Sequence, residues 1–211
     1  MTIVWPCPLS VDAYVSAGRG IEFPRPDCPT CSAPMTRWSG YQRDVRIAEQ
    51  FAKAFIARAR CKPCRVTHAL VPSVLLASHY DPVEVIGAVL CDVAFGRSGV
   101  LRPAAARAGV GRSTARSWVQ RFVRAARRIA VSFAGLAVTL GAAVPELRRE
   151  TAAAAVAAIE AAFSAACSLP GWAGTSRWSF ASAVSGGGLL ATNTTLPYLV
   201  ARRRRFMSPV P

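Results

Sequence analysis

Residues suited to acid–base catalysis are scarce in this sequence. Its 211 residues include two histidines and 11 acidic residues. After Asp92 the only carboxylates are Glu146, Glu150 and Glu160, and all three fall in one predicted helix. Carboxylates on a single helix cannot build the strand-borne site that holds two metal ions for phosphoryl transfer. The two histidines have no partner set typical of a nucleophilic triad. We therefore expect a protein that is not an enzyme.

Signals for secretion and for membrane insertion are also missing. The first eighteen residues have no positively charged start and no uninterrupted apolar core, so a secretory signal is not expected. The apolar segment Ile129 to Val144 is shorter than the roughly 20 residues of a bilayer span, and it contains Ser132 and Thr139. A buried helix is the preferred interpretation. Contact with a membrane edge is the alternative, because arginines precede the segment. We expect a cytoplasmic, nucleoid-associated protein with no membrane partner.

Lysine is nearly absent, although the chain is strongly basic. The formal net charge is +15 and the pI is near 10.9. Only Lys53 and Lys62 are lysines, so 24 of the 26 basic residues are arginines. Nine of these arginines lie between Arg97 and Arg128, in a stretch over residues 93–145 that has no acidic residue. Arginine makes bidentate contacts with phosphate and with guanine. This placement favours a nucleic acid partner over a merely solvated basic face.

Four of the seven cysteines form two Cys-x-x-Cys pairs. The pairs are Cys28 with Cys31 and Cys61 with Cys64. A two-residue spacer lets both sulfurs of a pair turn toward one ion, and four thiolates suit tetrahedral Zn²⁺. The remaining cysteines stand singly, so we do not expect a disulfide framework. We expect a protein of a reducing compartment. The pairs predict a structural zinc site whose four ligands leave no position for an activated water. A redox role and unrelated free thiols are the alternatives.

One histidine lies close to the second cysteine pair. His68 follows Cys64 by four residues and could replace a cysteine as a zinc ligand. The preferred interpretation is a strand histidine that is hydrogen-bonded beside the site. Zinc coordination of this type contributes roughly 10–16 kcal/mol in small peptides, so the cysteine module is expected to be unfolded without metal.

Periodicity and turn residues predict an α+β fold in four parts. The parts are an N-terminal extension over residues 1–27, a small β zinc ribbon over 28–72, a helix-turn-helix domain over 80–131, and a C-terminal helical region with a basic tail over 132–211. Alternating side chains in the second part predict strands over residues 37–41, 51–60 and 66–71.

Helix signals occur outside the cysteine module. Ser10 is a predicted N-cap of a short helix that ends at Gly18. Asp81 and Glu84 are placed to cap the start of the next helix, with Pro82 at its first position. Three further helices are predicted over residues 103–108, 112–128 and 145–167. The last of these carries a narrow apolar stripe, which suits packing or self-association.

The predicted helices over residues 103–108 and 112–128 fit a helix-turn-helix. Such a unit needs a small residue where its helices cross, a glycine in the turn and buried apolar residues after the turn. Ala105 and Gly109 meet the first two needs. The predicted buried residues after the turn are Val110, Ala115, Trp118 and Val119. An ordinary helical hairpin with a basic surface is the alternative.

A recognition helix meets the edges of DNA bases with its N-terminal residues. The predicted base-reading residues are Arg112, Ser113, Arg116, Ser117 and Gln120. Arginines further along the same helix are placed to contact phosphates. These arginines are Arg121, Arg124, Arg127 and Arg128.

The order of these motifs resembles the N-terminal half of bacterial transposases. The residues that carry the resemblance are the two cysteine pairs, the segment AAARAGV over residues 104–110, and Trp118. In that family a zinc ribbon precedes a helix-turn-helix that binds the terminal repeats of a mobile element, so the resemblance implies the same for residues 28–131. The chain departs from the family because it lacks the three metal-binding carboxylates of a catalytic domain.

Two further segments are similar to an actinobacterial family of zinc-ribbon and helix-turn-helix proteins with no established activity. The segments are THALVP over residues 67–72 and LLATNT over residues 189–194. This resemblance extends over most of the chain and implies no reaction.

The hypothesis from sequence is a non-catalytic, zinc-stabilised protein that binds double-stranded DNA at specific sequences. It would act as a transcription regulator or as an accessory factor of a mobile element. One alternative is a DNA-targeting subunit that works with a separately encoded transposase or recombinase. Another is a membrane-edge or structural protein. A homodimer stays open, as does the role of the run Arg202–Arg205, which suits phosphate contact, a membrane surface or a solvated terminus.

Overall fold

The fold combines one β-sheet with α-helices. A computed structural model describes residues 2–96, 99–143, 151–169, 171–172 and 174–191. Within these residues the chain forms a four-stranded sheet and six helices, so the α+β class predicted from sequence is confirmed. The run Arg202–Arg205 and the carboxylates of Glu146 and Glu150 lie outside the described residues.

The sheet is built around a long hairpin. Its strands are β1 (Thr2–Trp5), β2 (Thr36–Ile47), β3 (Gln50–Arg60) and β4 (Thr67–Pro72), in the order β1-β4-β3-β2. β2 and β3 pair antiparallel, as do β3 and β4, whereas β1 lies parallel to β4. The hairpin accounts for the long spacer between the two cysteine pairs. The three predicted strands are confirmed, with β2 longer than predicted.

Six helices are described. They are α1 (Val11–Ala17), α2 (Val83–Phe95), α3 (Leu101–Arg107), α4 (Arg112–Thr139), α5 (Ala152–Ala166) and α6 (Arg177–Val184). The predicted cap of α1 is confirmed, because the Ser10 hydroxyl accepts a hydrogen bond from the Ala13 N–H at 3.2 Å.

The predicted cap of α2 is wrong. Asp81 makes no capping bond to the helix, and its carboxylate instead forms a two-pronged ion pair with the Arg46 guanidinium at 2.8 and 3.1 Å. Glu84 does not return a capping bond either, because it accepts a hydrogen bond from the Ser176 hydroxyl. Contacts from distant segments have replaced the local cap.

Helix α4 is longer than predicted. It continues past Arg128 to Thr139, so the expected domain boundary at residue 131 falls inside a helix. Its second half buries Ile129, Phe133 and other small or apolar residues, and α4 packs along α5. Because one face of α4 from Ile129 to Thr139 is buried within the protein, the buried-helix interpretation is confirmed for that face, whereas Val131 and Val138 are exposed on the other. No helix among the described residues has the length and apolar character to cross a membrane.

Helix α5 begins at Ala152, where the Thr151 hydroxyl accepts a hydrogen bond from the Ala154 N–H at 3.3 Å. The predicted start at Pro145 lies outside the described residues. Val156 and Ile159 of the predicted stripe are buried, whereas Cys167 is exposed. Alanines complete the buried face. They are Ala155, Ala158, Ala162 and Ala166.

The sheet and the helices share one hydrophobic core. Helix α6 connects them, because its Trp178 ring occupies the space above Gly87 of α2 and its Ser182 hydroxyl donates to the Leu75 carbonyl oxygen at 2.7 Å. The Ala77 N–H donates to the Gly187 carbonyl oxygen at 2.9 Å, which holds the chain after α6 on the same loop. The sheet and the helices therefore form one continuous packed body.

Candidate metal centre and candidate nucleic-acid interface

The two cysteine pairs lie in turns of the same shape. The Cys28 N–H donates to the Ala33 carbonyl oxygen at 2.8 Å, and the Cys61 N–H donates to the Val66 carbonyl oxygen at 2.9 Å. In each turn the residue after the second cysteine has a left-handed backbone, with φ of 59° at Ser32 and 57° at Arg65. Such a backbone costs a non-glycine residue of the order of 1 kcal/mol. The repeated strain indicates turns shaped by a common requirement, the direction of the sulfur atoms.

The hairpin brings the two turns together. One turn precedes β2 and the other follows β3, and the hairpin pairs Thr36 with Arg60 at its open end. The sulfur atoms of Cys28, Cys31, Cys61 and Cys64 all lie within 4.8 Å of one another. Ligand sulfurs around a tetrahedral zinc ion stand roughly 3.8 Å apart, because each Zn–S bond is about 2.3 Å long. The four sulfurs therefore form a group that could hold a metal ion.

Burial and charge in this cluster favour a cation. Cys28 and Cys61 are buried, Cys64 is half-buried and Cys31 is exposed. Burial opposes ionisation of Cys28, but hydrogen bonds from the Cys31 and Thr30 N–H groups and from neighbouring thiols lower its pKa to about 6. Hydrogen bonding to Cys31, together with burial, raises the pKa of Cys64 to about 12. The Cys28 sulfur thus ionises easily, whereas Cys61 and Cys64 resist ionisation unless a positive ion offsets the repulsion between thiolates.

His68 is not a member of the sulfur cluster. It lies fully buried in β4, opposite Ala59 of β3. Among the described residues the group that could hold a metal consists of the four cysteines. A set of four protein ligands matches a closed structural site.

A second candidate site lies on α4. The turn before it begins at Gly109, whose φ of 62° is left-handed. The Gly109 N–H donates to the Ala106 carbonyl oxygen at 3.1 Å, and the Val110 N–H donates to the Ala105 carbonyl oxygen at 3.0 Å. This pair of bonds is the Schellman arrangement that ends a helix at a glycine. It terminates α3 and directs the chain into α4.

The buried face of this region agrees with the sequence-based prediction. Ala105, Val110, Ala115 and Trp118 are all buried, and Val119 is half-buried. α2, α3 and α4 pack against one another. The three helices thus form a compact unit whose interior contains the residues predicted to be there.

The nine residues predicted to contact DNA share the opposite face of α4. Eight are exposed and Ser117 is half-buried. The exposed residues are Arg112, Ser113, Arg116, Gln120, Arg121, Arg124, Arg127 and Arg128. The five predicted base-reading side chains border one shallow depression of about 270 Å³. Since α4 contains no acidic residue, every charged side chain on its exposed face, which runs as far as Arg128, is cationic.

The hairpin and this helical unit are neighbours. A Cβ atom at Gly109 would lie 3.9 Å from the Ala48 carbonyl oxygen and from Glu49 Cγ, so the α3–α4 turn adjoins the β2–β3 turn. Arg43 of β2 donates to the Leu76 carbonyl oxygen at 2.8 Å and also to that of His79. Burial, together with the positive charges of Arg121 and Arg43, lowers the pKa of His79 to about 4. The positive charge of Arg121 on α4 therefore affects His79, which lies in the loop that Arg43 contacts through hydrogen bonds.

Sequence reasoning missed several exposed side chains of the hairpin. Trp38, Tyr41 and Arg58 are exposed, and the Arg60 guanidinium lies 4.5 Å from the centre of the Trp38 ring. A tryptophan within an otherwise polar strand was the available signal. Its contact with Arg60 depends on a register shift between Arg37 and Ser39 that alternation alone does not reveal.

Comparison with known proteins reaches part of this region. A family model described as a domain of unknown function (DUF6431) matches residues 28–109. The match begins at the first cysteine pair and ends at the glycine between α3 and α4, so it contains the whole sulfur cluster and stops before the cationic face of α4. No curated protein and no solved structure matches the chain significantly.

Proposed function

We propose that this chain is a zinc-stabilised protein that binds double-stranded DNA at specific sequences and catalyses no reaction. The observation that carries the proposal is the cationic face of α4 directly after the Gly109 turn. Five polar side chains lie together there, backed by buried Ala115 and Trp118. An exposed helix end of this composition suits the major groove, which admits one α-helix.

In this proposal α3 and α4 form a helix-turn-helix, and α2 packs behind both. The first three turns of α4 would meet base edges through Arg112, Arg116 and Gln120. Arginine reads guanine through two parallel hydrogen bonds, and glutamine reads adenine in the same manner. The later arginines, from Arg121 to Arg128, would contact phosphates and set the register of the helix on the duplex.

The metal in this proposal is Zn²⁺, held by Cys28, Cys31, Cys61 and Cys64. When bound, it supplies cross-linking rather than reactivity, because four protein ligands leave no position for water. The thiolates hold the open end of the β2–β3 hairpin, while the other end of the hairpin adjoins the α3–α4 turn. Zinc would thereby keep the sheet in a fixed position beside the DNA-reading helices.

The biological role would be that of a regulator or of an accessory factor of a mobile element, in the cytoplasm beside the nucleoid. The resemblance of residues 28–131 to the N-terminal half of transposases supports this role. The scarcity of histidines and carboxylates in the sequence supports the non-catalytic part of the proposal. Among the described residues after Asp92, the Glu160 carboxylate pairs with Arg177 at 2.7 Å.

Selection of bound fragments from random duplex DNA, with zinc-loaded protein, tests the proposal. We expect a recovered consensus, and we expect Arg116→Ala to relax the preference at one base position by about 1–3 kcal/mol. The matched variant Arg124→Ala should weaken binding to all duplexes alike. Recovery of no consensus, or equal loss of preference in both variants, would reject the assigned roles.

A further inference from the structure

One exposed aromatic side chain of the hairpin has no role in duplex recognition by α4. Trp38 is 58% exposed, whereas the other four tryptophans are 5% exposed or less. Exposing a large ring to water forgoes roughly 1.5–3 kcal/mol of burial energy. Tyr41, three residues further along β2, is 44% exposed as well.

Arginines accompany these rings on the same face of the hairpin. Tyr41 lies opposite Ile56, and Ser39 lies opposite Arg58. Because side chains alternate along a strand, Arg58 and Arg60 of β3 share the face of Ile56. The Arg60 guanidinium then stacks on the Trp38 ring at 4.5 Å. One side of the indole thus contacts a cation, and the exposed remainder of the ring is accessible to a second stacking partner.

The opposite face of the hairpin is partly covered by residues from the N-terminal part of the chain. There the Arg19 guanidinium lies 5.7 Å from the Phe55 ring centre, and the Arg37 guanidinium donates to the Arg19 carbonyl oxygen at 3.3 Å. Arg19 therefore packs on that face. Trp38, Tyr41, Arg58 and Arg60, which we call the hairpin platform, lie on the other.

We propose that the hairpin platform binds single-stranded DNA by stacking unpaired bases on Trp38 and Tyr41. Aromatic rings accept the flat face of any base, and each stacked base contributes roughly 1–3 kcal/mol. Arg58 and Arg60 supply positive charge for the phosphates between those bases, and the chain as a whole carries a net charge of +15. About 10 Å of strand separates the two rings, which suits a short extended segment of DNA. This activity goes beyond duplex recognition, which uses α4 alone.

The experiment uses the full zinc-loaded chain and a fluorescently labelled 15-nucleotide oligothymidine. We expect binding that quenches tryptophan emission, since Trp38 is the exposed tryptophan. Trp38→Leu should weaken binding by about 5- to 150-fold, the equivalent of one stacked base. Trp38→Phe should retain most of the affinity. The control Phe51→Leu removes another exposed ring of the hairpin, on the face opposite the hairpin platform, and should bind as the parent does.

Two outcomes would overturn this inference. One is oligothymidine binding that Trp38→Leu leaves unchanged. The other is self-association in the absence of DNA that Trp38→Leu abolishes, because the hairpin platform would then contact a second copy of the chain. Duplex binding by the same variants separates the two proposals: Arg116→Ala should impair duplex recognition and leave oligothymidine binding intact, and Trp38→Leu should do the reverse.

Discussion

At the scale of single residues, the four cysteines combine strained turns with sulfurs that resist joint ionisation. Ser32 and Arg65 adopt left-handed backbones in equivalent positions, which directs the sulfurs toward a common point. A cation that replaces the thiol protons relieves the repulsion between neighbouring thiolates. The strain of the two turns is therefore consistent with a group of four sulfurs that could hold one metal ion.

Cys31→Ser tests the metal site with little effect on the core, because Cys31 is exposed. A serine hydroxyl cannot replace a thiolate ligand. We expect metal affinity to fall by more than about 100-fold, since even partners outside the ligand shell change affinity by 10–100-fold. Competition with a chromophoric chelator measures this, and Cys167→Ser, also an exposed cysteine, is the control. Equal retention of metal by both variants would contradict the four-sulfur site.

His79 gives the protein a predicted pH dependence. Its pKa in the folded protein is about 4, below the ordinary 6.5, because burial and then Arg121 and Arg43 disfavour the imidazolium. A depressed pKa means that folding favours the neutral ring. Its contribution to stability is therefore complete above about pH 6.5 and is lost as the pH falls through about 4.

Urea unfolding at about pH 7 and about pH 4.5 measures this contribution. His79→Gln should lose less stability between the two values than the parent does. Protonation of the cysteine ligands affects both proteins alike, so the difference between them reports on His79. Identical losses in the two proteins would show that His79 does not carry the effect.

At the scale of elements, local patterns predicted what depends on neighbouring residues. Alternation identified the long hairpin, and the spacing of apolar residues after Gly109 identified the buried face of α4. The sulfur cluster was predictable because each pair encodes its own turn. The end of α4 was not, because its arginines stop at Arg128 while the helix continues by packing on α5.

Long-range contacts account for the other differences between prediction and structure. The capping signal at Asp81 is local, but Arg46 of the hairpin takes its carboxylate. The four-residue strand β1 gains its partner from β4, nearly seventy residues away. The contact of Arg60 with Trp38 depends on a register shift within the hairpin. None of these follows from the residues within one helix or strand.

Substitutions at two glycines test the backbone conformation of the α3–α4 turn. Gly109 has a left-handed φ of 62°, whereas Gly111 has an extended backbone and precedes α4 as its N-cap. Gly109→Ala should destabilise the protein by about 1 kcal/mol, because alanine is strained in that conformation. Gly111→Ser should stabilise it by a few tenths of a kcal/mol by capping α4. Chemical unfolding measures both, and equal effects of the two substitutions would contradict the turn.

At the scale of the whole molecule, the sheet and the helices share a core, and α6 connects them. Gly87→Ala tests this connection, because a Cβ atom there would lie 2.2 Å from the Trp178 indole nitrogen. We expect a loss of about 1–3 kcal/mol from overpacking. The control Gly135→Ala adds a methyl group to open space on α4 and should stabilise that helix by up to about 1 kcal/mol.

The changes that Gly87→Ala and Gly135→Ala cause in the free energy of unfolding should have opposite signs when unfolding is followed by denaturant titration. A single transition seen by both far-ultraviolet circular dichroism and tryptophan emission is expected, since one core joins the elements. If Gly87→Ala were as stable as the parent, α6 would not be docked on α2 as described.

The central claim is that the cationic face of α4 neutralises DNA phosphates, and the salt dependence of duplex affinity tests it most directly. If about six arginines of zinc-loaded protein contact phosphates, the logarithm of the binding constant should fall against the logarithm of salt concentration with a slope of roughly −5. Arg124→Ala should make that slope shallower by about 1. A nearly flat salt response in the parent protein would contradict the account.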